Sequence, residues 1–237
     1  TGHEGIRTKY DSSVFERRVL SNGAVVWWQR IQVSMDEGGI LAGFLPGVGS
    51  HLDEAPYEGA AHFLEHLPFR GTRHKPSKTA LVNPIEARGG WVSANTNLTR
   101  TQFHVVLPRD SFRLAAETIY ELVFEPVISS ENVAEERGAI SQEYANHIAD
   151  PGYFGHERLM DHFFGTHPFG NATLGNPSSI RRMRARILRD FHHAQYHPGN
   201  LHLNRFLQPG KKQAELPHRD NRVFLHQLKC AKYVDER

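Results

Sequence analysis

Five consecutive residues, His62-Phe63-Leu64-Glu65-His66, carry the side chains best suited to chemistry in this 237-residue chain. The two histidines stand four apart, so on a helix both imidazoles lie on one face. Neutral imidazole nitrogens ligate zinc at about 2.0–2.1 Å, and a catalytic site takes three protein ligands and leaves the fourth position to water. Glu65 sits next to His66 and three positions after His62, near where that open position falls. Zinc lowers the pKa of such a water toward about 7, and a neighbouring carboxylate can take its proton and later pass it to a leaving amine. The pattern therefore nominates His62 and His66 as metal ligands and Glu65 as general base. The chain holds 16 histidines. At that abundance an H-x-x-E-H arises by chance in roughly one chain in fifteen, so the pentapeptide needs a third ligand from elsewhere.

The elements that must position these side chains follow from the pattern around them. Small and apolar residues predict a helix over 60–67, ended by Pro68 and Gly71. Upstream, 14–19 and 24–29 are apolar-rich runs joined by Ser21-Asn22-Gly23, a hairpin signal, and a third run over 39–45 ends at Pro46-Gly47. A second helix is expected over 78–88, capped by Ser77, kinked or split by Pro84 and stopped by Gly89-Gly90. Strands over 91–94 and 102–107 bring the sheet to about five members. Asp110 is the expected cap of a helix with Phe112, Ala115, Ile119 and Leu122 at helical spacing. Ser130 is the expected cap of another, running to about Ala149 before Asp150-Pro151. On the latter, Val133, Ile140, Tyr144 and Ile148 form one stripe, with Glu136 and Glu143 at its flank. Shorter helices are expected over 153–164, 178–183 and 187–196. Strands followed by several helices indicate an α+β domain, an antiparallel-rich sheet with helices packed on one face. After Asn200 the strand pattern is lost at 204–212, and 208–222 is polar and basic.

The segment from Gly59 to Thr72 resembles the active-site helix of the pitrilysin (insulinase) family, which includes mitochondrial processing peptidase and related bacterial peptidases. Farther on, Glu136-Arg137-Gly138-Ala139-Ile140-Ser141-Gln142-Glu143 is similar to that family's E-R-G-x-I-x-x-E pattern, and 76 residues separate His66 from Glu143, as in the family. The resemblance implies that Glu143 is the third metal ligand and that Glu136, seven residues earlier on the same helix, supports the site from outside the ligand set. His167-Pro168-Phe169-Gly170 and Tyr196-His197-Pro198-Gly199-Asn200 look like further family landmarks, and the likeness covers roughly residues 12–203. Where the family usually has Asn-Ala-x-Thr on the strand edge that holds extended peptide, this chain has Ser93-Ala94-Asn95-Thr96. Family members also carry a second, similar half that closes over the substrate, and these 237 residues contain none. The resemblance thus implies a zinc-dependent endopeptidase with one zinc ion per chain. It would act on extended or unfolded peptides together with a homologous second half or subunit. The alternative is a non-catalytic or truncated peptidase-like subunit that keeps the metal site for binding or structure. The expected division is a zinc-binding peptidase domain over 1–205 and an irregular basic tail over 206–237.

Composition narrows the field further. With 28 basic and 26 acidic residues the net charge is +2, so no strong field draws the chain to nucleic acid or anionic lipid, and neither is an expected partner. The basic run from Arg181 to Arg186 reads as a solvated helix face. A single cysteine, Cys230, rules out an internal disulfide. No run of 18 apolar residues occurs, so no membrane span is expected, and the cytoplasm is the expected compartment, with the mitochondrial matrix or periplasm as alternatives. His156, His162, His192 and His193 lack a supporting motif and are assigned no site.

Overall fold

The computed structural model describes residues 16–30, 38–108 and 111–207. Among the described residues six strands form one sheet: β1 (Glu16–Val19), β2 (Val25–Arg30), β3 (Gly38–Pro46), β4 (Trp91–Thr96), β5 (Arg100–Pro108) and β6 (His202–Leu207). Their spatial order is β1-β2-β6-β3-β5-β4, antiparallel in every pairing except the parallel one between β2 and β6. The expected hairpin is present, with Val19 opposite Val25 and Gly23 at a positive φ of 89° in the turn. Among the described residues seven α-helices accompany the sheet: α1 (Ala60–His66), α2 (Lys78–Glu86), α3 (Phe112–Phe124), α4 (Ser130–Ala149), α5 (Pro151–Phe164), α6 (Pro177–Arg182) and α7 (Ala185–Gln195).

β5 explains why the sheet has one covered face. Along it Thr101, Phe103, Val105 and Leu107 are buried and alternate with half-buried Gln102, His104 and Val106. The buried set joins one core with Phe63 and Leu64 of α1, Leu81 and Ile85 of α2, and Ile119 and Leu122 of α3. This is the expected α+β arrangement, an antiparallel-rich sheet with helices on one side.

Four local expectations need amendment. The sheet has a sixth member, β6, although the sequence pattern fails from Asn204. Ladders on both sides hold it, with Asn204 opposite Trp27 and Ala42. β6 runs to Leu207, while the tail over 208–237 and Asp110 lie outside the described residues. The residue at the head of α3 is Ser111, and the cap of α4 is Ser129 rather than Ser130, its hydroxyl accepting from the Asn132 amide at 3.0 Å. α2 passes through Pro84 to Glu86 as one helix, because the proline lies close to the C-terminal end and fully buried Leu81 and Ile85 anchor it. Its cap is as expected, Ser77 accepting from the Ala80 amide.

α4 turns one acidic face toward the motif helix. Its buried residues are Val133, Glu136 and Ile140, a stripe at helical spacing that places Glu136, and Glu143 one step farther on, toward α1. Arg137 fastens the other side, its guanidinium donating to the carbonyls of Ile180 and Met183 at the end of α6. Ile140 is fully buried between the two glutamates. Replacing Ile140 with Ala is expected to cost about 2–5 kcal/mol of stability, read from urea unfolding midpoints; a cost under about 1 kcal/mol would mean that α4 is held by other contacts.

Candidate metal centre

α1 is short, so its geometry depends on what holds its ends. Its N-cap, Gly59, has φ of 93°, a left-handed conformation natural to glycine, and a Cβ there would approach the Leu174 carbonyl oxygen to 2.9 Å. The capping acceptor comes from outside the helix: the Asp53 carboxylate accepts from the Gly59 amide at 2.7 Å and the Ala61 amide at 3.0 Å. Burial pushes the Asp53 carboxyl up to about 7 while those two amides pull it back. Asn171 in turn donates to the Ser50 and Asp53 carbonyls, fixing the loop that carries the cap. With Ala60, Ala61, Phe63 and Leu64 packed inward, His62, Glu65 and His66 line the side of α1 that meets α4 and β4.

There the three atoms His62 Nε2, His66 Nε2 and Glu143 Oε2 form a triangle with sides of 3.1, 3.4 and 3.6 Å. A tetrahedral zinc ion bonded at about 2.0–2.1 Å requires ligand atoms about 3.3 Å apart, so the triangle fits such an ion. Among the described residues this is the one His/Cys/Asp/Glu group so gathered. The fold thus brings together His62, His66 and Glu143, the three residues nominated as ligands. Glu136 lies outside the triangle, accepting from His66 Nδ1 at 2.9 Å, which directs Nε2 at the triangle. His62 differs: its Nδ1 is buried without a hydrogen-bond partner.

The charges around the triangle are shaped by its neighbours. Hydrogen bonds from His62 and His66 hold the Glu143 carboxyl far below the usual carboxylate range. Burial works against an ionised Glu136, but hydrogen bonds from His66 and Arg70 outweigh it and lower the pKa. Burial likewise disfavours a charged His66, yet its bonds to Glu136 and Glu143 push it up to about 9. Glu136 and Glu143 thus engage opposite nitrogens of one ring, and a divalent ion in the triangle would stand in for the proton between His66 Nε2 and Glu143 while leaving the Nδ1 bond to Glu136 in place. Glu65 experiences the opposite balance: burial raises its pKa, partly offset by the nearby His62 and Thr96.

Two cavities meet at Glu65 and Ala94, which line both. One, of about 720 Å³, is bounded by His62, Thr96, Glu143, Tyr153 and Glu157. The other, of about 930 Å³, is bounded by His66, Arg70, Val92, Ser93 and Glu136. β4 is an edge strand and runs past both, so Ser93, a departure from the family pattern, lines the second. Sequence reasoning missed Asp53, Arg70 and Thr96. Arg70 lies within the motif segment but meets Glu136 only through the fold, its Nε donating to that carboxylate. Of the unassigned histidines, His156 borders the first cavity, and half-buried His192 is structural, its Nε2 donating to the Val123 carbonyl at 2.8 Å.

Residues 42–177 match the model of the insulinase family, peptidase family M16. The chain belongs to this peptidase family. Over 159 residues it is 33% identical to an uncharacterized zinc protease of Streptomyces coelicolor, an alignment covering 65% of this chain and 34% of that protein. The chain therefore spans about a third of the length of such insulinase-family relatives. In structure it is similar to a protease from Helicobacter pylori, with a TM-score of 0.83 and 18% identity over 95% of this chain and 52% of that one. It is also similar to pitrilysin, with a TM-score of 0.75 and 23% identity over 95% of this chain and 24% of that one. At these identities the structural likeness is one of fold.

The His66 environment gives this insulinase-family domain a defined pH response when stripped of metal. A folded-state pKa of about 9 against an ordinary 6.5 means that folding favours the protonated ring between those values. The stabilisation is complete below pH 6.5 and is lost as pH rises to about 9. The urea midpoint of the metal-free chain is expected to fall across that window, and His66→Ala to remove the His66 share of the fall; a midpoint unchanged across it would show a neutral His66.

Proposed function

We propose that this chain is the metal-binding part of a zinc-dependent endopeptidase, with His62, His66 and Glu143 holding one zinc ion and Glu65 serving as general base. The observation that carries this reading is the triangle of Nε2, Nε2 and Oε2 atoms with the Glu65 carboxylate beside it, where two cavities meet. Zinc, when bound, supplies Lewis acidity that polarises a peptide carbonyl and acidifies water. The protein's own part is positional. Glu136 accepts from His66 Nδ1 and keeps that ring's other nitrogen turned inward. Glu65, raised in pKa by burial, is suited to take a proton from water and return it to the departing amine.

The substrate class follows from β4. An extended peptide can pair with an exposed edge strand through main-chain hydrogen bonds, leaving its alternating side chains for pockets on either side. Here the edge strand runs between cavities of about 720 and 930 Å³ that share Glu65. An extended or unfolded peptide is therefore the proposed substrate. Because the chain spans about a third of its relatives' length, a homologous second half or subunit is the proposed partner. Among the described residues no helix is long and apolar enough to cross a membrane.

Zinc content and cleavage of an unfolded peptide, measured in one preparation with and without a homologous second half, test this reading. One zinc per chain with cleavage, in either condition, supports it. Zinc without cleavage in both would make the chain a non-catalytic subunit. Glu65→Gln is expected to keep its zinc and lose hydrolysis by about 10²–10⁴-fold; comparable turnover in that variant would remove Glu65 as the base. Glu143→Ala is expected to lose zinc on dialysis under conditions in which the parent chain retains it, and full retention would place the third ligand elsewhere.

A further inference from the structure

A guanidinium stands behind the carboxylate that aims His66. Both oxygens of buried Glu136 are engaged: Oε1 accepts from His66 Nδ1 at 2.9 Å, and Oε2 accepts from Arg70 Nε. Arg70 Nη1 also reaches Glu135 Oε2 at 3.4 Å, an exposed contact that adds little. Backbone bonds tie Arg70 to α4 independently of these side chains. Past α1 the chain makes one turn of 3-10 helix over Leu67–Phe69, with Leu67 and Pro68 buried and the Arg70 amide donating to the Leu67 carbonyl at 2.9 Å. Residues 71–73 then pair with the approach to α4. Thr72 lies opposite Pro126, and the Val127 amide donates to the Gly71 carbonyl and the Arg73 amide to the Glu125 carbonyl, each at 2.9 Å. Asn132, in the first turn of α4, donates from its side chain to the Val127 carbonyl at 2.9 Å. Arg70 and Glu136 therefore meet across a junction whose two sides are fixed by the main chain.

The chemistry of His66 makes this meeting consequential. An imidazole offers Nε2 to a metal while its proton sits on Nδ1, and the acceptor that the Nδ1 proton meets fixes both the tautomer and the plane of the ring. Glu136 is that acceptor only while its carboxylate faces Nδ1. The terminal torsion of a glutamate is soft, so one hydrogen bond alone leaves the carboxylate free to turn. Arg70 removes that freedom by holding the second oxygen, and its guanidinium, charged at every working pH, balances a carboxylate that burial would otherwise disfavour. We propose that Arg70 is a positioning residue for the metal centre, one that keeps Glu136 against His66 Nδ1 and so sets how tightly zinc is held. The proposal rests on His62, His66 and Glu143 being the zinc ligands. Arg70 also borders the cavity of about 930 Å³, where a cation is equally suited to meet a substrate carboxylate. The two roles separate by measurement: substrate contact acts on KM, whereas support of His66 acts on zinc affinity.

Zinc affinity of the full chain, measured by competition with a chelator of known affinity, reads the support directly and needs no hydrolysis. Arg70→Met keeps an unbranched stem without the guanidinium and is expected to weaken zinc binding about tenfold, the low end of the loss that follows removal of an outer partner of a metal-bound histidine. Arg70→Lys keeps the charge without the planar fork and is expected to fall between the parent and Arg70→Met. The Glu136→Gln background shows the route. There, Arg70→Met is expected to weaken zinc no further, because the group it acts through is already altered. The same loss in both backgrounds would mean that Arg70 acts without Glu136 and would overturn the proposal. So would a rise in KM at unchanged zinc affinity, measured with the second half supplied if hydrolysis requires one, which would assign Arg70 to substrate. Should Arg70→Met fail to fold, Arg70→Lys carries the same readout: a loss of affinity that vanishes in the Glu136→Gln background supports the proposal, and no loss overturns it. A parent chain that takes up no zinc defeats the zinc-site reading together with this one, whereas a parent that binds zinc, and binds it equally well without Arg70, defeats this one alone.

Discussion

A carboxylate buried beneath the first turn of α1 keeps the geometry of the whole site in place. Burying Asp53 is costly unless its oxygens are satisfied, and they are, by the Gly59 and Ala61 amides that a helix start leaves without partners. Each half of that exchange requires the other. A seven-residue helix has too few internal hydrogen bonds to be stable alone, so its angle and rotation are set by this cap and by fully buried Phe63 and Leu64. Side chains on a helix are about 100° apart per residue, so a slight rotation of α1 would carry His62 and His66 off their common target.

The second constraint is electrostatic. Glu136 and Glu143 come from one helix and converge on one histidine, and Glu65 adds a third carboxylate nearby. Arg70 takes part of that charge through Glu136. What remains is an excess of acceptors facing two imidazoles. α4 supplies both glutamates on one face, and its own anchoring through Val133, Ile140 and the Arg137 bonds to α6 keeps them from relaxing apart. The arrangement is stiff where like charges would otherwise separate.

How much of this was legible in the sequence depends on the distance over which each feature is decided. The helical spacing of His62, Glu65 and His66 and the Asn22-Gly23 hairpin are local, and they read correctly, whereas the stripe on α4 reads only in part: Val133 and Ile140 are buried as expected, but Glu136, expected at the flank, is buried with them and Tyr144 and Ile148 are half-buried. Glu143 and Glu136 were placed only through a resemblance, because nothing in their own neighbourhood distinguishes them from other flank residues of an amphipathic helix. Asp53 was invisible for a different reason: Asp53, Glu54 and Glu58 all precede α1, and only the folded loop selects which one reaches its amides. β6 was missed because its order comes from ladders to β2 and β3, laid down some 160 to 180 residues earlier, rather than from its own alternation.

β4 ends the sheet, and its outer row of backbone amides and carbonyls has no strand beside it among the described residues. An open ladder of that kind does not discriminate by sequence, so it is as receptive to the same strand of another copy as to any other extended chain. The strand is only six residues long, with polar Ser93, Asn95 and Thr96 along it, whereas half-exposed Trp91 at its start favours sticking. Solubility and edge pairing are therefore in direct competition, and at high protein concentration self-association through β4 becomes an internal competitor for whatever else that edge receives.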